Sequence, residues 1–383
     1  MNTRRVQSVG IDIGTTTSQL IFSVLEIVNT AGPTSIPHYE FSKREIRYAS
    51  PVLFTPFDDH GQIAVEVLDG FIRQQYQQAG MALKDVESGA IIITGETSKA
   101  RNARETVMVL AEALGDFVVA TAGPHLESVV AGRGSGAAAY SEKNMVSVLN
   151  IDVGGGTSNF AVFENGQLSD TACLNVGGRL VQTNGEGQVQ RLHAPAMHIV
   201  RELFPQAKAL TDFTAQDLRH VAQRMAELIV EIIESNTSPL AQTLLMTEGL
   251  RQASRYQAVF ISGGVGECLA HPSDDSPFRF GDLGPWLAQA LGEQLKAKGF
   301  PVREPVQTLR ATVIGAGAHT LTLSGSTVWN KYQGAPLRNV PVVHSRMPWR
   351  SYRPGALVAA WQLALKGQDL DAGEDLYALS LPN

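Results

Sequence analysis

The chain has 383 residues, 44% of them hydrophobic and 18% charged, with a formal net charge of −6. That length suffices for two domains or more, and that composition allows a sizeable core and argues against disorder. A net negative charge argues against non-specific nucleic-acid binding, which needs a basic surface. No run of about eighteen apolar residues is present, so no membrane span is expected. Two cysteines, Cys173 and Cys268, are too few for a disulfide framework, and a reducing cytosol is the simplest setting.

In chain order, Ser8 to Ile13 and Ser18 to Leu25 predict a first hairpin, reached so early that no room is left for a secretory signal. Tyr39 to Tyr48 is mixed, with a basic cluster at Lys43, Arg44 and Arg47 that reads as a solvated, partly paired surface or as a contact for an acidic partner. Pro51 to Thr55 reads as a strand, and Ile63 to Ala79 as a helix closed by Gly80. Ala90 to Thr94, AIIIT, has the continuous apolar character of a strand buried on both faces. A helix from about Ser98 to Leu114 and a strand at Phe117 to Thr121 follow. Pro124 to Tyr140 looks helical despite Gly132, Gly134 and Gly136. These glycines do not directly follow a strand, so they are read as close helix packing rather than a dinucleotide loop.

Past Met145 come a strand, a glycine loop, a hairpin turn at Glu164-Asn165-Gly166 and a second glycine turn at Asn175 to Gly178. Asp212 to Glu234 predicts a long amphipathic helix with Thr211 as N-cap. Further helices are expected at Pro239 to Leu250 and Trp286 to Lys298. Strands are expected at Ala258 to Ser262 and Ala311 to Ile314, the latter leading into a small-residue helix start at Gly315 to Ala318. A helix at Ala356 to Leu365 and a strand at Leu376 to Leu381 close the chain.

One phrase occurs twice. Val9 to Ser23 is VGIDIGTTTSQLIFS and Leu149 to Phe163 is LNIDVGGGTSNFAVF. At a shift of 140 positions they share Ile11/Ile151, Asp12/Asp152, Gly14/Gly154, Thr17/Thr157 and Ser18/Ser158. Each reads as strand, glycine turn, strand, with an aspartate at the end of the first strand. Glycines let backbone N–H groups approach an anion closely, and a carboxylate beside such a loop suits Mg²⁺, which keeps waters and phosphate oxygens among its ligands. Two copies with matched aspartates point to two similar lobes, each offering one loop to a ligand.

The ordered set of motifs resembles the actin, sugar-kinase and heat-shock-chaperone ATPase superfamily. Asp12 to Thr17 resembles its first phosphate motif and Asp152 to Thr157 its second. Ser262 to Gly266 resembles its adenosine motif, and Ala131 to Tyr140 and Gly315 to His319 its two connecting helices. The resemblance implies an α/β, actin-like ATPase fold: two lobes with mixed β-sheets hinged around a nucleotide cleft. It implies a first lobe over 1–144, a second with the adenosine motif over 145–324 and a C-terminal segment over 325–383.

By the same resemblance Asp12 and Asp152 hold a hydrated Mg²⁺. Gly14, Thr15, Thr16, Thr17, Gly154, Gly155, Gly156 and Thr157 form the phosphate contacts of ATP or ADP, and Gly263, Gly264 and Glu267 line the adenine and ribose side. Glu127 lies where chaperone ATPases carry a glutamate near the attacking water; it reads equally as a surface glutamate favoured in the first turn of a helix. Chaperone ATPases carry an aspartate two residues after the second-loop threonine, where this chain has Asn159. An amide cannot take a proton as a carboxylate can, so slow hydrolysis is expected. His193 and His198 flank a proline with no third metal ligand in view and read as solvated loop histidines. The two cysteines read as small buried apolar residues.

Nearly the whole chain further resembles the ethanolamine ammonia-lyase reactivating factors. The stretches that carry this are SVGIDIGTTTSQLIF, ITGETSKARNARETV, GPHLESVVAGRGSGA, NIDVGGGTSNFAVF, TACLNVGGRL, MAELIVEIIE, ISGGVGEC and RATVIGAGAHTL. That family is implied to act in ethanolamine utilisation, often with bacterial microcompartments, as a chaperone-like factor. Using ATP and Mg²⁺, it frees damaged cobalamin from its partner, ethanolamine ammonia-lyase, so that adenosylcobalamin can rebind. Cobalamin is then released from the lyase rather than stably bound by the factor. The resemblance implies a cytoplasmic protein, leaves a homo-oligomer open, and implies a further α/β segment beyond residue 383 in family members. Two other classes share the fold: a small-molecule kinase, which would need a substrate base beside the γ-phosphate that the sequence does not offer, and an actin-type filament protein.

Overall fold

The computed structural model describes residues 3–14, 17–29, 38–58, 60, 62–94, 102–114, 117–206, 208–251, 256–309, 311–312, 314–315, 323–324, 340–344 and 353–380. It divides into two compact units, Met1–Ala122 with Val313–Asn383, and Gly123–Thr312.

The first unit is built on β1 (Thr3–Ile13), β2 (Thr17–Asn29), β3 (His38–Ala49), β4 (Leu53–Phe54), β5 (Ser88–Ile93) and β6 (Phe117–Thr121), with α1 (Val65–Gln78) and α2 (Ala103–Leu114). β1, β2 and β3 form an antiparallel meander, β5 joins β1 in parallel and β6 joins β5 in parallel, giving the order β3-β2-β1-β5-β6. Val9, Ile11, Ile13, Leu20, Phe22, Ile91 and Ile93 meet Leu68, Ile72, Val107 and Leu110 of the two helices in one buried cluster. β3 is a twelve-residue strand where the sequence reads as mixed. Its Arg44 is half-buried rather than solvated and donates to the carbonyl of Ile314. Burial pulls its guanidinium down to about 10.

The second unit repeats this plan. It is built on α3 (Pro124–Gly134), α4 (Ala137–Asn144), β7 (Ser147–Val153), β8 (Ser158–Glu164), β9 (Gln167–Leu174), β10 (Val181–Thr183), β11 (Val189–Leu192), α5 (Ala194–Leu203), α6 (Ala215–Ile233), α7 (Pro239–Leu244), β12 (Ala258–Ser262), α8 (Gly263–Ala270), α9 (Gly284–Ala297) and β13 (Val302–Arg303). β7, β8 and β9 are an antiparallel meander, and β12 and β13 extend it in parallel, giving the order β9-β8-β7-β12-β13. The first sheet has two further short strands, β4 beside β2 and Leu323–Ser324 beside β3; its other five strands follow the same order as the five of the second sheet. Asn165 and Gly166, at φ 52° and 80°, form the two-residue hairpin turn expected at this position.

The sheet of the second unit buries two different faces. Leu149, Ile151, Val153, Phe160 and Val162 pack on α6 and α9. Val148, Ala161, Phe163, Ala258 and Phe260 face the other way, in one cluster with Ala137 at the start of α4. α3 approaches so closely that a Cβ on Gly132 would run into the Phe163 ring, and Gly136 breaks the helix at φ 90°. The compact units divide after Ala122 and after Thr312, whereas the sequence divides after 144 and 324. The difference at the first boundary is that α3 and α4 pack on β7, β8 and β9.

Several element bounds differ from expectation. α6 starts at Ala215 with Thr214, not Thr211, as N-cap: Thr214 Oγ1 accepts from Asp217 N, and Asp217 Oδ2 accepts from Thr214 N, at 3.2 and 2.8 Å. The helix expected to reach Leu250 ends at Leu244, because Leu245 bridges to Leu174. Ala311, Thr312 and Ile314 are helical rather than strand, and Gly315 is helical as expected. The last strands, β14 (Leu323–Ser324), β15 (Val342–His344) and β16 (Ala378–Ser380), are short; β16 pairs in parallel with β15, and α10 (Pro354–Lys366) lies between them in the chain. Residues 316–319 of the second small-residue helix lie outside the described residues. No helix among the described residues is long and apolar enough to cross a membrane.

Candidate functional site: two phosphate loops and a buried carboxylate

Each loop sits where the first strand of a meander turns into the second. In the first unit Gly14 N–H donates to Thr17 O at 2.9 Å. In the second Gly154 N–H donates to Thr157 O, also at 2.9 Å. The repeat seen in sequence is thus a repeat of backbone hydrogen bonding. Gly14, Gly154, Gly155 and Gly156 are half-buried, Thr17 is half-buried and Thr157 buried. Thr15 and Thr16 lie outside the described residues.

Asp12 is the last but one residue of β1, is 8% exposed, and accepts a hydrogen bond from Thr94 Oγ1 at 3.1 Å. The carbonyl of Gly14 is held by Thr55 Oγ1 at 2.7 Å, and Thr55 is in turn 2.9 Å from Ser18 Oγ.

Asp152 is the last but one residue of β7 and is 6% exposed. Ser262, directly beside it on β12, donates from Oγ to Asp152 Oδ1 at 2.6 Å, a charge-assisted bond. Asn150 Nδ2 lies 3.2 Å from the same Ser262 Oγ. Burial pushes the Asp152 carboxyl up to about 6, against the Ser262 hydrogen bond, which lowers it. Asn159 faces Asp152 across the β7–β8 pair, is 1% exposed, and leaves its Oδ1 without a partner among the described residues. Its Nδ2 reaches Thr157 Oγ1 at 3.3 Å.

The second loop is backed by a segment that sequence reasoning marked only as a turn. Gly178 N–H donates to Gly154 O at 3.0 Å and Arg179 N–H to Gly155 O at 2.7 Å. Gly177 has no room for a side chain, since a Cβ there would stand 2.6 Å from the Gly155 carbonyl carbon. Leu283 N–H caps the far side of the segment by donating to Gly178 O at 2.9 Å.

The Gly263-Gly264 pair does not form a loop but the first turn of α8, which begins where β12 ends beside Asp152. Glu267 on that helix is clamped by Thr308 Oγ1 and by His271 Nδ1, the latter at 3.2 Å. Glu127 is in the first turn of α3 and only 8% exposed, so it is not the surface glutamate of the blander reading. His193 is not a solvated loop residue either. It precedes α5, pairs with Gln182 Nε2 at 3.0 Å, and is lowered by burial and by Arg191 and Arg179. Cys173 is buried, as expected, while Cys268 is half-buried.

These residues fit a hydrated Mg²⁺ better than a metal enclosed by protein. Among the described residues no three His, Cys, Asp or Glu side chains converge on one point. What is present is a buried carboxylate whose charge burial disfavours, an orphaned amide oxygen opposite it, and a glycine loop beside both. Mg²⁺ takes one or two carboxylates and completes its shell with water and phosphate.

Two units whose sheets share one five-strand path, each turning on an Asp-Gly loop at the end of its first strand, define the actin-like ATPase class. The chain belongs to the ethanolamine utilisation protein EutA family, whose match runs over residues 4–383. It is 53% identical over 382 residues to the ethanolamine ammonia-lyase reactivase EutA of Salmonella typhimurium LT2, and equally to that of Escherichia coli K12. In both cases the alignment covers 100% of this chain and 80% of the relative. Among solved structures, the ethanolamine utilization protein EutJ of Carboxydothermus hydrogenoformans aligns at 16% identity and a TM-score of 0.41, over 83% of this chain and 90% of that one.

Proposed function

We propose that this protein is an ATP- and Mg²⁺-dependent reactivase of ethanolamine ammonia-lyase. The observation that carries the reading is the full-length kinship: 53% identity over 382 residues to two proteins that bear that name. What supports it in the geometry is that Gly14 N–H and Gly154 N–H donate to the matching Thr17 and Thr157 carbonyls.

In this reading the Gly154 to Thr157 loop takes nucleotide phosphates with its backbone N–H groups, and Asp152 holds the hydrated Mg²⁺ that offsets their charge. Asp12 and the Gly14 to Thr17 loop do the same from the first unit. Gly263, Gly264 and Glu267 serve the nucleoside. Asn159, an amide where a general base would sit, keeps hydrolysis slow, and Glu127 orients the attacking water. Slow hydrolysis suits a factor that must hold one nucleotide state long enough for a damaged cobalamin to leave the lyase. A tenfold difference in lyase affinity between two nucleotide states needs only about 1.4 kcal/mol of coupling. The setting is the cytosol, with the lyase in a microcompartment where one exists.

The test is corrinoid release. Lyase blocked with cyanocobalamin is incubated with this protein, with and without ATP and Mg²⁺, and free cobalamin is measured after gel filtration. Release that needs both protein and nucleotide supports the reading; identical release without nucleotide defeats it.

A further inference from the structure

The face of the second sheet that carries Asp152 combines an apolar cluster with buried polar residues, Asn159 and Thr171 among them. Val148, Ala161, Phe163, Ala258 and Phe260 form its cluster. Between them stand Asn150, Ser262 and Asp152, at 0%, 0% and 6% exposure. Asn150 and Asp152 are two residues apart on β7 and so point to the same side. Ser262 lies beside Asp152 on β12, and Phe260 lies beside Asn150.

A serine hydroxyl has one proton to give and lone pairs to receive with. At 2.6 Å from Asp152 Oδ1, a carboxylate oxygen that only accepts, that proton is committed. Ser262 Oγ can then only accept from Asn150, which fixes the amide with its NH₂ group toward Ser262, 3.2 Å away. The Asn150 Oδ1 is turned aside, buried and without a partner among the described residues. An orphaned buried oxygen is costly, and an apolar side chain of similar size would pack on this face without that cost. The first unit has no such arrangement: the residue matching Asn150 is Gly10, and Asp12 is held by Thr94 instead. Local violations of packing rules of this kind concentrate where function requires them.

We propose that Asn150 is a positioning residue for the metal-binding carboxylate: through Ser262 it locks Asp152 Oδ1 and leaves Oδ2 presented to the Mg²⁺ of the bound nucleotide. This rests on the reading of Asp152 as a metal-binding residue given above. Asn150 itself touches neither metal nor nucleotide. Its effect is confined to the part of nucleotide affinity that Mg²⁺ supplies, because the loop N–H groups hold the phosphates without its help.

The experiment measures ADP affinity of the full chain by calorimetry, in EDTA and in saturating Mg²⁺, for wild type, N150L, N150A, S262A, N150L/S262A and D152A. All variants are read at a temperature where circular dichroism shows the native fold. N150L and N150A are expected to lower the Mg²⁺-dependent gain three- to tenfold with affinity in EDTA unchanged, and N150L/S262A to be no weaker than S262A, since the two act in series. A metal-free readout runs beside it: the Asn150 side-chain amide resonances should shift on Asp152→Asn, and that response should vanish in the S262A background. The proposal is overturned if the Asn150 amide ignores Asp152→Asn, or if D152A loses the Mg²⁺ gain while N150L and N150A keep it. A Mg²⁺ gain that survives D152A instead overturns the metal reading of Asp152, while the amide response still decides the relay.

Discussion

Ser262 Oγ stands 2.6 Å from Asp152 Oδ1 across two parallel strands, with Ser262 fully buried and Asp152 6% exposed. A buried carboxylate held by one hydroxyl and raised to about 6 is poorly compensated. Supplying a divalent cation should relieve that deficit, so nucleotide with Mg²⁺ should stabilise the protein more than nucleotide alone. At ligand one hundred times above Kd the total gain is about 2.7 kcal/mol. A thermal-shift series with ADP, with and without Mg²⁺, checks this. D152A should abolish the Mg²⁺-dependent part and retain the rest.

Gly177 gives a test of the backing segment. An added Cβ would press on the Gly155 carbonyl, and backbone cannot swing aside as a side chain can. Gly177→Ala should lower stability by about 1–3 kcal/mol and weaken nucleotide binding together. Gly185, whose Cβ would meet nothing within 4 Å, is the matched control. Gly185→Ala should change neither by more than about 0.5 kcal/mol. Urea denaturation with nucleotide titration separates the two.

Asp282 predicts a pH dependence. Its carboxylate accepts from Gly284 N–H at 2.8 Å at the start of α9, and burial pushes it up to about 6, against the lowering effect of that bond and of Arg179 and Arg279. The ordinary value is near 3.9. The folded state therefore holds this proton more tightly than the unfolded chain, and stability falls as pH rises from about 4 to about 6. Above that the full cost of the buried charge is present. Asp282→Asn keeps an acceptor for Gly284 and removes the charge. It should raise stability by on the order of 1 kcal/mol at pH 8, with the gain shrinking below pH 6 and gone near pH 4. Melting temperatures across that range decide it.

The chain's last described elements should open first. β15 and β16 pair over three residues each, and Leu376 and Leu379 are exposed. Segments with few buried apolar contacts exchange amide protons at low free energy. Amides of Ala378–Ser380 should exchange well before those of β7 and β12. Equal protection would contradict this.

Sequence revealed the turns and missed what supports them. Asp12/Asp152 and Gly14/Gly154 stand out because glycine turn chemistry is local, and both copies make the matching backbone bond at 2.9 Å. Thr211 and Thr214 are both good caps, and only Asp217, three residues after Thr214, decides between them. The short run at Ala311 to Ile314 reads as strand because a few apolar residues cannot distinguish strand from helix. The basic cluster of Lys43, Arg44 and Arg47 hid a strand in which tertiary context supplied Arg44 with a carbonyl acceptor. Asn150 and Ser262 were legible only as polar residues in otherwise apolar strands. Their meeting depends on the parallel register of β7 with β12, over a hundred residues apart in sequence.

The central claim is tested most directly by reactivation. Ethanolamine ammonia-lyase inactivated by turnover is mixed with this protein, ATP, Mg²⁺ and fresh adenosylcobalamin, and ethanolamine deamination is followed against the same mixture made with D152A. The account predicts recovered deamination with wild type that depends on ATP, and little or none with D152A. No recovery with wild type, or equal recovery with D152A, would contradict it.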